Sequence, residues 1–365
     1  MGGVFEISLL INNMRPNFGK LEDGVLLKEQ ILDETSTIIA RELSASVAAK
    51  EILNDALAGK SVLLVDSVLG KFDEFAQNAI DRLNEQGWEE LTRLIIQKAF
   101  GRQFPRHEEM FRRFLGQELK VIDVRKKKQN INISDREIGM MMLSGSPANV
   151  TDALTDPHKK VLGEEFSHGY VYNKTVELYR AADELNIPII GICYGHQVLS
   201  AQRGSEIYKL PSRFGGRVAV ETTNTSHRLV AGVLGAEWPL SGEVPVSHGD
   251  AVKYNPRQSA LFLTTSGEDP AVTHGLIHIP DKPGFPKLSG DDIDADAQTV
   301  HGLLVDGLGV ALSVQGHPEM EQGRLLEFAI NRDVRVFKDT EPRQLGVDYL
   351  MMMAKFVQKY GSVKN

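Results

Sequence analysis

The chain has 365 residues, 42% of them hydrophobic and 25% charged, enough to bury a large core as one domain or two. A formal net charge of −8 excludes a general binder of nucleic acid or of membrane surfaces. Its one cysteine excludes an intramolecular disulfide and a cysteine-rich metal site, and fits the reducing cytoplasm.

The opening MGGVFEISLLINNM holds a short apolar run broken by Glu6 and lacks a basic flank, so it reads as neither a secretory signal nor a myristoylation site. No apolar run reaches the roughly 18 residues of a membrane span. Residues 4–11 read as a strand. Residues 21–58 read as one or two amphipathic helices, with Leu26, Leu27, Ile31, Ile38, Ile39, Leu43, Val47, Ile52, Leu53 and Leu57 at helical spacing before Gly59. Residues 1–59 are thus expected to be an N-terminal helical extension.

SVLLVD at Ser61–Asp66 has the profile of a central parallel strand, followed by a helix over 72–85. Residues 88–118 form a helical block carrying Arg93, Arg102, Arg106, Arg112 and Arg113, read as a solvated face. Leu119–Val124 is the next strand, and the basic run Arg125–Lys128 a solvated loop. Ile138–Leu143 follows, its three methionines serving as core, and residues 170–185 form a helix leading into a strand at 188–192. This alternation predicts an α/β fold: a doubly wound, mostly parallel sheet with flanking helices and ligands at the carboxyl ends of the strands. Further strands are expected at Arg217–Glu221, Glu243–Ser247, Leu261–Thr265, Val272–Ile279 and Gly309–Gln315. Between them 280–299, rich in Pro, Gly and Asp, reads as a mobile surface loop. Its aspartates 291, 292, 294 and 296 lack the central Gly and terminal Glu of a calcium loop. A helix over Tyr349–Tyr360 closes the chain, within a C-terminal segment 336–365 that packs on the main domain, 60–335.

The chemistry concentrates in PIIGICYGHQVLSAQRG, residues 188–204, where a buried apolar run changes to helical spacing at the lone Cys193. Gly191 and Gly195 make G-x-C-x-G, the thiol counterpart of the nucleophile elbow, which presents its central residue at the end of a strand and the positive end of a helix. Downstream, Gly316-His317-Pro318-Glu319 follows a strand: an imidazole with a carboxylate two residues on to orient it. Upstream lies the turn Ser144-Gly145-Ser146-Pro147.

Together, in this order, these motifs resemble the class I (triad) glutamine amidotransferase family, and within it the amidotransferase domain of GMP-synthetase-like members, over roughly residues 60–335. The resemblance implies a flavodoxin-like sheet, and it makes 88–118 an insertion between the first helix and the second strand. It implies Cys193 as nucleophile, His317 as base and Glu319 as its orienter. The oxyanion is then met by the N–H of Tyr194 and by the turn at Gly145 and Ser146. Gln197 lies near the substrate amide, with Ser247, His248 and Asp250 lining the pocket and Asp250 facing the α-amino group. Ser146 departs from the family's second glycine and puts a side chain where a peptide flip is needed.

The expected activity is hydrolysis of the glutamine side-chain amide through a thioester, with ammonia passed to a synthetase on a separate polypeptide, in the cytoplasm and without a cofactor. Two alternatives use the same motifs: a γ-glutamyl peptidase, and a non-catalytic regulatory subunit. No metal is expected, since His274 and His278 share a strand face without a third ligand; nor is nucleic acid, a membrane or a nucleotide, since no P-loop is complete.

Overall fold

A computed structural model of the protein describes residues 46–67, 107–126, 133–134, 136–161, 164–222, 224–235, 241–265, 272–280, 283–319 and 345–361. The chain divides into two units, and all of these residues belong to the one made of 45–74, 105–321 and 343–365. The expected strand 4–11, most of the helical segment before residue 46, the helix over 72–85 and the first part of the arginine-rich block lie outside the described residues.

The apolar runs fold as strands β1 (Ser61–Asp66), β2 (Leu119–Asp123), β3 (Ile138–Leu143) and β4 (Ile189–Ile192), joined later by β5 (Ile207–Glu221), β6 (Ser241–Val252), β7 (Ser259–Thr265), β8 (Thr273–His278) and β9 (Ala311–Val314). Among the described residues they form one sheet in the order β2-β1-β3-β4-β9-β8-β7-β5-β6. Pairing is parallel from β2 through to β9 and antiparallel from there outward. The sheet is therefore mostly parallel around β4 and carries an antiparallel wing.

Between the strands run α1 (46–57), α2 (His107–Leu115), α3 (Val150–Thr155), α4 (His168–Glu184), α5 (Tyr194–Gln202), α6 (Asn224–Leu234), α7 (Ile293–Val305) and α8 (Leu345–Gly361). Because side chains alternate across a strand, the parallel strands feed two cores. Val62, Leu64, Met140, Met142, Ile190, Ile192, Leu312 and Val314 pack on one face with Leu53 and Leu57 of α1, Phe111 of α2 and Met353 and Phe356 of α8. Leu63, Val65, Met141, Leu143, Ile189 and Ala311 pack on the other with α3, α4 and α5. The end of the expected N-terminal extension is thus part of the first core, and the three methionines are fully buried.

Two readings change. Residues 293–299 are not loop but the start of α7. Asp292 caps it by accepting from the N–H of Ala295 at 3.1 Å, and Asp294 and Asp296 fall in the first turn, where negative charge complements the helix dipole. Asp296 also accepts from the N–H groups of Ser289 and Gly290, so these acids organise a helix start. The strands of the antiparallel wing run longer than their apolar cores suggested, β5 beginning at Ile207 and β6 at Ser241. In the described part of the arginine-rich block, Arg112 and Arg113, both half-buried, pair with Glu109 on their own helix.

Candidate active site

Strands β3, β4 and β9 are neighbours, and their register aligns Leu143 with Gly191 and Ile192 with Val314. The three loops leaving their carboxyl ends therefore start side by side. They are the turn from Ser144, the elbow at Cys193 and the loop bearing His317, so the sheet itself brings together three motifs that lie far apart in the sequence.

Cys193 sits between β4 and α5 at φ 52° and ψ −104°, a left-handed backbone that a non-glycine residue rarely adopts. Its N–H donates to Val314 O at 2.8 Å and its carbonyl accepts from Gln197 N at 3.1 Å, so both flanking elements hold the strained turn. The flanking glycines are steric requirements. A Cβ on Gly191 would lie 2.6 Å from Gly195 O, and one on Gly195 would run into the carbonyl of Leu143. The thiol is 3% exposed and its Sγ contacts Ser247 O at 3.9 Å.

His317 Nδ1 is 2.8 Å from Oε1 of Glu319, which is fully buried. Burial alone would lower the pKa of the imidazole. The charges of Cys193 and Glu319, with hydrogen bonds to both, outweigh that and raise it well above the ordinary histidine value. Cysteine, imidazole and carboxylate thus form one connected set.

Gly145 lies against this set: a Cβ there would be 2.7 Å from His317 Cε1 and 3.6 Å from Cys193 Cβ. The turn is tied down by Ser144, whose carbonyl accepts from Gly195 N at 3.1 Å and whose hydroxyl accepts from Ser67 N and donates to Gly145 O, each at 2.9 Å. Since a trans peptide directs its C=O and N–H oppositely, the N–H of Ser146 points away from Ser144. The Ser146 hydroxyl accepts from Ala148 N at 3.0 Å, so this side chain is folded into the turn before α3.

The four expected pocket residues have different surroundings. Ser247 stands next to the sulfur. The buried Gln197 donates from Nε2 to Asp250 O at 3.0 Å and to Gln315 Oε1 at 3.1 Å, so it clamps α5 to β6 and to the end of β9. His248 donates from Nδ1 to Asp250 O at 2.8 Å. Asp250 turns both carboxylate oxygens to Thr151, accepting from its N–H at 2.8 Å and its hydroxyl at 2.7 Å. An α-amino group would have to share these oxygens with the first turn of α3. Gln315 and Thr151 were not singled out from the sequence. Gln315 had one signal, a polar residue ending an apolar strand two positions before His317; Thr151 had none.

Behind the site, β8 carries two inward histidines. Ser313 Oγ links His196 Nδ1 at 2.7 Å to His278 Nε2 at 2.6 Å, and His278 Nδ1 reaches Ser259 Oγ at 2.9 Å. Burial, aided by the charge of Arg203, pushes His278 down to about 3, and burial with neighbouring histidines holds His196 and His274 well below their ordinary range. These rings remain neutral at physiological pH. Among the described residues no group of His, Cys, Asp or Glu is arranged to hold a metal ion, and no helix is long and apolar enough to cross a membrane.

The family model "Glutamine amidotransferase class-I" matches residues 107–333. The chain is similar to the glutamine-hydrolysing GMP synthase of Leifsonia xyli subsp. xyli, 40% identical over 82 residues, which are 22% of this chain and 16% of that protein. It is also similar to the GMP synthase of Aeropyrum pernix, 31% identical over 129 residues, 34% of this chain and 24% of that one. The match thus spans a quarter or less of either relative's length. Among solved structures, a glutamine amidotransferase from Thermotoga maritima aligns at 16% identity and TM-score 0.42, over 83% of this chain and 99% of its own. One from Methylobacillus flagellatus aligns at 13% and 0.44, over 84% and 94%. With its model covering more than half of the sequence, and the cysteine, histidine and glutamate motifs converging on one site, the chain belongs to the class-I glutamine amidotransferase family.

Proposed function

We propose that the protein hydrolyses the side-chain amide of glutamine through a thioester on Cys193 and supplies the ammonia to a synthetase on another polypeptide. The observation that carries this reading is the strained Cys193 elbow beside an imidazole that is itself paired with a buried carboxylate. His317, with its raised proton affinity, takes the proton of the Cys193 thiol as the sulfur attacks the amide carbon. The carbonyl oxygen becomes an oxyanion at the N-terminus of α5, met by the N–H of Tyr194 and by the turn at Gly145 and Ser146. The imidazolium gives its proton to the departing nitrogen, releasing ammonia and leaving the γ-glutamyl thioester. His317 then takes a proton from water, which attacks the thioester and frees glutamate and the sulfur. Glu319 holds the ring orientation and offsets the imidazolium charge throughout.

The relatives named as glutamine-hydrolysing GMP synthases support glutamine as the substrate and an ammonia-consuming partner reaction. Steady-state release of glutamate from glutamine and from a γ-glutamyl peptide, by the protein alone and with equimolar protein, tests the assignment. Glutamine is expected to turn over faster than the peptide. Rapid peptide cleavage with negligible glutaminase would replace the amidotransferase reading with that of a γ-glutamyl hydrolase.

A further inference from the structure

Glu319 is fully buried, and among the described residues nothing hydrogen-bonds its Oε2. A buried carboxylate is costly unless its charge is offset, and the charge of its partner His317 is shared with Cys193. A second imidazole stands close by. His107, the first residue of α2, places Nε2 4.0 Å from Glu319 Oε1 and Nδ1 3.2 Å from Asp66 Oδ1, at the carboxyl end of β1. Its ring packs at 90° against Phe111, centroids 5.0 Å apart, which fixes its plane. At 4.0 Å the contact with Glu319 is electrostatic rather than a hydrogen bond.

We propose that His107, anchored by Asp66, is a positioning residue for the triad: it offsets the buried charge of Glu319 and keeps that carboxylate turned to His317. The connected row is then Cys193, His317, Glu319, His107 and Asp66, running from the elbow to the end of a strand two places away in the sheet. This rests on the triad having the roles proposed above. Among the described residues, the groups that face His107 are Asp66 on β1 and Glu319 after β9 and, through Glu319, His317 and Cys193. Arg125, after β2, interacts with Asp66 through its charge while it hydrogen-bonds Asp123.

The sign of the effect follows from the charges. Without His107, the Glu319 carboxylate is held less firmly against His317, so the imidazolium loses part of its counter-charge and supports the sulfur less well.

Because Cys193 is the only cysteine, the rate of alkylation by iodoacetamide, followed by intact mass between about pH 4.5 and 9, reads this pair alone and needs no substrate. The midpoint is expected to rise by about half a unit to one unit in His107→Gln, to rise in Glu319→Gln, and to rise no further in the double variant. Asp66→Asn, at a partly exposed position, is expected to shift it the same way by less. The proposal is overturned if the His107→Gln curve overlays the parent's, or if the double variant shows the sum of the single shifts. Should His107→Gln not fold, an Asp66→Asn curve identical to the parent's overturns it. Glutamine turnover measured alongside separates the two readings. A parent protein with no turnover removes the proposed activity and leaves the alkylation curves to decide the role of His107. With turnover, His107→Gln is expected to lower kcat and leave KM unchanged.

Discussion

Cys193→Ala is expected to fold as the parent does and to release glutamate from glutamine at least about ten-thousand-fold more slowly, since removing a nucleophile leaves only binding and oxyanion contacts to act. The fold should survive because the sulfur is a small part of a large core, so its loss costs about 1 kcal/mol. The strained backbone stays held by Val314 O and Gln197 N. A coupled glutamate assay beside a thermal melt checks both halves. Turnover within about tenfold of the parent would remove Cys193 from the chemistry.

Gly145→Ala is expected to cost about a hundredfold or more in kcat, with a far smaller effect on melting temperature. The added methyl would lie 2.7 Å from His317 Cε1, closer than carbon atoms tolerate, while Cys193 Cβ at 3.6 Å is at ordinary contact distance. The imidazole is what must move. Displacing it separates the base from the sulfur and from Glu319, whereas the strands beneath are untouched. A Gly145→Ala variant with the parent's kcat would mean that the ring has room to spare, and that the close approach of the turn to His317 plays no part in the reaction.

Both expectations rest on an arrangement that was partly legible in the sequence. The apolar runs 61–66 and 138–143 are strands with those bounds, because a strand buried on both faces must be apolar throughout and is closed by turn residues. The elbow was legible for a steric reason: only glycine fits at 191 and 195, where a Cβ would meet the backbone across the turn. The antiparallel wing was less legible. Its strands extend into glycine-bearing sequence such as 214–216, whose pairing is set by the partner strand rather than by local apolarity. The start of α7 was misread because aspartates that cap a helix look in sequence like those of a loop.

For the site, the sequence singled out Cys193, His317 and Glu319 and the structure supplied their adjacency, which comes from the order β3-β4-β9. The side-chain partners were not legible. That Asp250 faces Thr151, that Gln197 clamps two strands and that His107 stands beside Glu319 all depend on contacts between segments far apart in the chain. No local periodicity carries that information.

Activation of Cys193 by His317 as a nucleophile is tested most directly by covalent capture. A diazoketone analogue of glutamine should attach once, on the peptide containing Cys193, as read by mass spectrometry. The attachment should slow by orders of magnitude in His317→Asn and be slowed by excess glutamine. Attachment that proceeds equally fast without His317, or that ignores glutamine, would contradict it.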